Sequence, residues 1–261
     1  MDPEFEKRKA VACELLQKDT SVMPEFWKTK YSKELSRNWD IFYKRNTTNF
    51  FKDRHWTDRE FTELVDSNQK KVILEIGCGV GNFIWPLLEK NPEAFIYACD
   101  FSPRAVEFVK NNEKYNTDRC KAFVCDITSN QLTDNIPPES LDIISAIFVF
   151  SALLPEQMEN ATSNLIKVLK PGGKILFRDY GLYDAAQLRF KPGRKFEDNL
   201  YVRQDGTFAY YFSTEKLRDL FVNSGGLIEE ENRYVIKSTT NIKKNINVER
   251  VFLQAKFIKP K

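Results

Sequence analysis

Short apolar, β-branched runs recur through the middle of the chain, each bounded by turn residues. Val72 to Ile76, Ala94 to Cys99, Lys121 to Cys125, Leu141 to Val149 and Lys174 to Phe177 read as buried strands. Helical stretches fall between them. One runs from Phe83 to Lys90, and another starts at Phe101-Ser-Pro-Arg-Ala, with Ser102 as N-cap and Pro103 at the first helical position. Residues 70 to 178 are therefore an alternating strand–helix core, which predicts an α/β fold with a mostly parallel sheet. Before it, Trp27, Tyr31, Leu35, Trp39, Phe42 and Tyr43 recur at helical spacing, so residues 6 to 68 read as a helical extension. After it, residues 179 to 212 form an insertion with a basic, aromatic stretch, Gln187 to Phe196. A hairpin follows over Leu200 to Phe212, turning at Asp205-Gly206. Ser213 caps a helix through Val222, Gly225-Gly226 ends it, and strands near 227–237 and 248–258 close a seven-stranded sheet as an antiparallel hairpin.

The first strand runs into Glu75-Ile-Gly-Cys-Gly-Val-Gly-Asn82, and a helix follows. A parallel strand, a glycine turn and a helix N-terminus make a site for a nucleotide-like ligand. The third glycine of a dinucleotide fingerprint would stand where this chain has Asn82, and no Lys-Ser/Thr follows for a phosphate cradle. The spacing E-x-G-x-G-x-G resembles motif I of class I, Rossmann-like S-adenosylmethionine-dependent methyltransferases. Asp100 ends the second strand, about 20 residues past the turn, where a carboxylate can accept both ribose hydroxyls. Asp126 can accept from an adenine amino group while Ile127 covers the ring. A cap on the following helix is the alternative for either acid.

Composition narrows the picture. Hydrophobic content of 42% supports a core, and no apolar run reaches transmembrane length. The net charge of +3 is uneven: Arg233 to Lys261 holds eight Lys or Arg and one acid, Glu249. That stripe either meets phosphates or is a solvated strand face. The five cysteines contain no C-x-x-C, so a reduced intracellular protein, cytoplasmic or nuclear, without a cysteine zinc site is expected. His55 is the single histidine, which argues against histidine triads and metal clusters. Met1-Asp-Pro-Glu-Phe5 matches the product of adjacent cloning sites and is set aside, with the expectation that the native start and any transit peptide are missing.

Five longer blocks carry a more specific likeness. They are Asn38-Trp-Asp-Ile-Phe-Tyr-Lys-Arg-Asn46, Asn49-Phe-Phe-Lys-Asp-Arg-His-Trp56, Tyr97-Ala-Cys-Asp-Phe-Ser-Pro-Arg104, Leu176-Phe-Arg-Asp-Tyr-Gly181 and Tyr201-Val-Arg-Gln-Asp-Gly206. From about residue 36 onward the chain resembles the eukaryotic tRNA N3-methylcytidine methyltransferases, and is most similar to the serine-tRNA branch. The resemblance implies methylation of cytidine 32 in the anticodon loop, S-adenosylmethionine as cofactor and S-adenosylhomocysteine as product. Seryl-tRNA synthetase is an implied partner, and a monomer is the default. The implied cofactor contacts are Trp39, Tyr43, Gly77, Asp100, Asp126, Ile127 and Ile147, with Gly79 beside them in the turn. Trp39 and Tyr43, spaced i, i+4, share one helix face; without the resemblance they read as core aromatics.

Cytosine N3 has a free lone pair, so no base is required to remove a proton, and the product is cationic. A carboxylate and an aromatic face beside the base would favour the transition state. Asp179 and Tyr180, after the fifth strand, are the candidates; the alternative for Asp179 is an arginine partner or a turn cap. Lys44, Arg45, Phe50, Lys52, Arg54 and His55 mix aromatics and cations as unpaired RNA requires. Arg189, Lys191, Arg194 and Lys195 form a second RNA-contact candidate. The competing expectations are a methyltransferase acting on a protein or small molecule, and a non-catalytic, cofactor-binding partner subunit.

Overall fold

The computed structural model describes residues 3–65, 70–241 and 246–261. Met1, Asp2, the boundary expected near residue 68, and Lys243 and Lys244 of the basic stripe lie outside the described residues. The elements in chain order are helices α1 (Pro3–Gln17), α2 (Glu25–Lys33), α3 (Leu35–Asn46) and α4 (Thr57–Glu60), then β1 (Val72–Ile76), α5 (Ile84–Lys90), β2 (Phe95–Asp100), α6 (Pro103–Lys110), β3 (Cys120–Val124), β4 (Leu141–Ile147), α7 (Pro155–Val168) and β5 (Leu169–Tyr180). The insertion holds β6 (Lys195–Glu197), β7 (Leu200–Val202) and β8 (Phe208–Tyr210), and α8 (Thr214–Arg218), β9 (Ile228–Asn241) and β10 (Ile246–Ile258) complete the chain.

The main sheet has seven strands in the order β3-β2-β1-β4-β5-β10-β9. The first five run parallel, while β10 is antiparallel to both β5 and β9. Strand order reverses at β1, so the carboxyl ends of β1 and β4 flank the crevice where such folds bind ligands. Alternating side chains feed two apolar layers. Ile73, Ile143 and Ile147 join Phe83, Ile84 and Val106 on one face; Leu74, Ile76, Ile144 and Ala146 join Met158, Leu165 and Phe221 on the other.

Boundaries differ from the sequence reading where backbone partners decide them. β5 takes in Lys170 to Gly173, ahead of the strand expected from Lys174, because Gly172 N–H donates to Lys259 O at 2.8 Å and Lys259 N–H to Gly173 O at 3.0 Å. β4 stops at Ile147, since Phe148 has φ +58° and cannot continue a strand. Ser213 does cap α8, accepting from Lys216 N, but the helix then widens into a π-turn over Asp219–Asn223. Phe5, set aside above, is buried and stacks on Tyr234 with ring centroids 4.0 Å apart.

Candidate active site

The glycine turn is held in shape by Asp100. Its Oδ2 accepts the Gly79 N–H at 3.0 Å and its Oδ1 the Ser102 N–H at 2.9 Å. Gly77, Gly79 and Gly81 all have positive φ. A Cβ at Gly77 would meet Val149 Cγ2 at 2.6 Å, and one at Gly79 would meet the Tyr43 hydroxyl at 3.0 Å. The loop therefore needs glycine both for its backbone and for its neighbours. Burial lifts the Asp100 carboxyl to about 6 against the two backbone donors that lower it.

Two neighbouring cavities lie on this turn. The smaller, about 60 Å³, is lined by Asp100, Phe101, Asp126, Ile127 and Leu153 among others. The larger, about 430 Å³, reaches from Glu75 and Gly79 to Tyr180, Arg203, Arg250 and Phe252. Trp39, Tyr43, Gly77, Phe148 and Ala152 border both. Asp126 lines the smaller cavity and also caps a turn, its Oδ1 accepting Thr128 N–H at 2.9 Å and Oγ1–H at 2.7 Å. Ile147 lines neither cavity: its side chain is in the core, and only its carbonyl faces the site, accepting Arg54 Nη1 at 3.0 Å.

Trp39 and Tyr43 reach the site because α3 docks on α6 through Phe42, Tyr43, Val80 and Ala105. Polar ties fix the docking. Asn38 Nδ2 donates to Gly206 O at 3.1 Å, and Ser102 Oγ donates to Asp40 Oδ1 at 3.0 Å. Burial, reinforced by the nearby Asp100, raises the Tyr43 hydroxyl well above its ordinary range.

On the acceptor side, Tyr180 lines the larger cavity but Asp179 does not. Asp179 is fully buried, and its carboxylate accepts the N–H groups of Ser151 and Tyr180, each at 2.9 Å. The direct role expected for Asp179 gives way to the alternative: it caps the turn at Ser151 and fixes the Tyr180 backbone. Tyr180 itself has two cations near its ring, the Arg203 and Arg250 guanidinium carbons lying 5.5 and 5.7 Å from the centroid. Asp184 neutralises Arg250 through Nε contacts of 2.9 and 3.0 Å.

The RNA candidates separate into groups. Arg54 is part of the cavity wall, bound to Ile147 O and close enough to Glu75 to oppose its raised pKa. Phe50, Phe51 and Lys52 are exposed at the mouth of the same cavity, while Lys44, Arg45 and His55 are exposed without lining it. Arg189, Lys191 and Arg194 line a groove of about 630 Å³ that shares Arg203 and Asp205 with the larger cavity. Lys195 instead pairs with Asp198 at 2.7 Å. The sequence reading missed Phe148, Arg203, Arg250 and Phe252 as site residues. Arg203 lies within the Tyr201 to Gly206 block; Arg250 has only the basic stripe as a signal.

The donor set fits S-adenosylmethionine. Glu75 is 2% exposed, and among the described residues its Oε2 has no hydrogen-bond partner, nor has Trp39 Nε1. Burial pushes the Glu75 carboxyl well above its usual range. A cationic amino-acid end beside Glu75 and Asp100 would relieve that desolvation. Asp100 and Asp126 would hold the ribose and adenine, with Ile127, Trp39 and Tyr43 covering them.

Fold and site together define a class I, S-adenosylmethionine-dependent methyltransferase. A family model described as a methyltransferase domain matches residues 74–175. The solved 1,6-didemethyltoxoflavin-N1-methyltransferase of Burkholderia thailandensis, with S-adenosylhomocysteine bound, shares the fold at 13% identity and a TM-score of 0.60, over 89% of this chain and 90% of that one. Among curated relatives, the tRNA N(3)-cytidine methyltransferase METTL6 of Homo sapiens is 53% identical over 95% of this chain and 88% of its own. The tRNA(Thr) (cytosine(32)-N(3))-methyltransferase of Saccharomyces cerevisiae is 47% identical over 91% of this chain and 39% of its own. The chain belongs to the tRNA N(3)-cytidine methyltransferase family.

Proposed function

We propose that this enzyme methylates N3 of cytidine 32 in the tRNA anticodon loop, with serine tRNA as its main substrate. The cavity that joins the glycine turn to Tyr180 and Arg203 carries the reading. At about 430 Å³ it has room for a flat heterocycle. The groove of Arg189, Lys191 and Arg194 leaves it at Arg203, a route for a phosphate backbone whose base is turned inward. N3 lies on the pairing edge, so the base must be unpaired, as in a loop.

When bound, S-adenosylmethionine supplies a methyl group already activated on a sulfonium. The protein's task is alignment and exclusion of water. Trp39 and Tyr43 cover the cofactor side, Tyr180 and Phe252 offer aromatic faces to a base that becomes cationic, and Arg203 meets a carbonyl or phosphate oxygen. No residue has to remove a proton from N3. The serine preference rests on the resemblance to the serine-tRNA branch, and we extend it to action in the cytoplasm or nucleus with seryl-tRNA synthetase as an accessory reader. The test uses serine tRNA transcripts with cytidine or uridine at position 32, with and without that synthetase. Methyl transfer is expected only to the cytidine form, and faster with the synthetase. Equal transfer to both transcripts overturns the position, and an unchanged rate overturns the accessory role.

A further inference from the structure

Phe148 has φ +58°, the left-handed region that a bulky L side chain rarely occupies. Such a backbone persists only where its surroundings over-determine it, and it clusters at binding sites. Here the constraints are visible. The Phe148 N–H donates to Arg178 O at 2.8 Å. Arg54 holds the preceding carbonyl at 3.0 Å and places its guanidinium 5.6 Å from the Phe148 ring centroid. The ring also meets Tyr180 at 5.3 Å and Phe252 at 5.6 Å.

The turn has a geometric consequence. Continued extended backbone would send residue 148 to the sheet face opposite Ile147. Instead Phe148 packs against the same apolar layer as Ile147. There its half-buried ring borders both cavities, and the next residue, Val149, lies against Gly77 of the cofactor loop. Of the described residues bordering both cavities, Phe148 alone also has its ring against that of Tyr180.

We propose that Phe148 is the positioning residue that sets the approach of the acceptor ring to the methyl-donor end of the cofactor, acting as the wall between the two cavities. The proposal rests on the tRNA reading above. The full chain is compared with Phe148→Ala, Phe148→Leu and Phe148→Gly for kcat and KM on tRNA, for S-adenosylhomocysteine affinity by calorimetry, and for melting temperature. A displaced acceptor predicts a loss in kcat of about 100-fold in all three, with cofactor-product affinity held within about threefold. Phe148→Gly, freed of left-handed strain, should melt no lower than Phe148→Ala and be as slow, which separates positioning from stability. Wild-type-like kcat in Phe148→Ala overturns the proposal, as does affinity that falls in step with kcat. Wild-type protein that transfers nothing to tRNA removes the acceptor reading and this proposal with it; an active wild type with an equally active Phe148→Ala removes this proposal alone.

Discussion

Asp100 accepts backbone N–H groups from Gly79 and Ser102, and burial lifts its carboxyl from 3.8 to about 6. The raised value means that the folded protein holds this proton more tightly than the unfolded chain. Asp100 therefore favours folding at low pH, and that contribution is lost as the pH rises from 3.8 through about 6. Cofactor binding has the opposite dependence, because the ionised form is the better acceptor for ribose hydroxyls. Affinity for S-adenosylhomocysteine should fall below pH 6, approaching about tenfold per unit, and Asp100→Asn should bind weakly with a flat profile. Calorimetry from pH 5 to pH 8 checks this; a flat wild-type profile rejects it. Asp179 is a different case. Asparagine there offers one acceptor to two buried N–H donors, so Asp179→Asn should lower stability by about 1–3 kcal/mol in urea unfolding. An unchanged midpoint would show that the turn at Ser151 does not depend on the carboxylate.

Among the elements, α3 decides whether the cofactor is covered. One tight approach ties it to the insertion: a Cβ on Gly206 would meet Asn38 Nδ2 at 2.6 Å. Gly206 also has φ +81°, at the turn between β7 and β8. Gly206→Ala should cost about 1–3 kcal/mol and loosen α3. Its signature is weakened S-adenosylhomocysteine binding although Gly206 lines neither cavity; unaltered affinity would mean that α3 docks through α6 alone. This scale also shows what the sequence could reveal. Gly77, Gly79 and Asp100 were legible because one local strand–turn–helix pattern contains them. Trp39 and Tyr43 read as core aromatics until the family likeness assigned them, since helical spacing fixes their face but not what covers it. Asp179 stayed open between two readings because a strand-end acid looks the same in sequence whether it faces the cavity or the turn behind it. Phe148, Arg203 and Arg250 meet around Tyr180 from the end of β4, the end of β7 and the body of β10, and neither that meeting nor a positive φ is written in local periodicity.

At the scale of the whole molecule, the groove of Arg189, Lys191, Arg194 and Arg203 extends the cavity across the insertion. If its cations contact phosphates, replacing Arg189 and Lys191 together with alanine should weaken all tRNAs alike. It should also flatten the plot of log affinity against log salt by about 0.7–0.9 per lost contact. An unaltered slope in filter binding would leave the groove as a solvated loop. Lys195, paired with Asp198, should contribute less than its neighbours.

The most direct test of the account is the identity of the product. The purified chain is incubated with S-adenosylmethionine labelled in the methyl group and with total tRNA, the RNA is digested, and the labelled nucleoside is identified. The account predicts label in 3-methylcytidine. Label in another nucleoside or in protein, or cofactor binding without transfer, would contradict it.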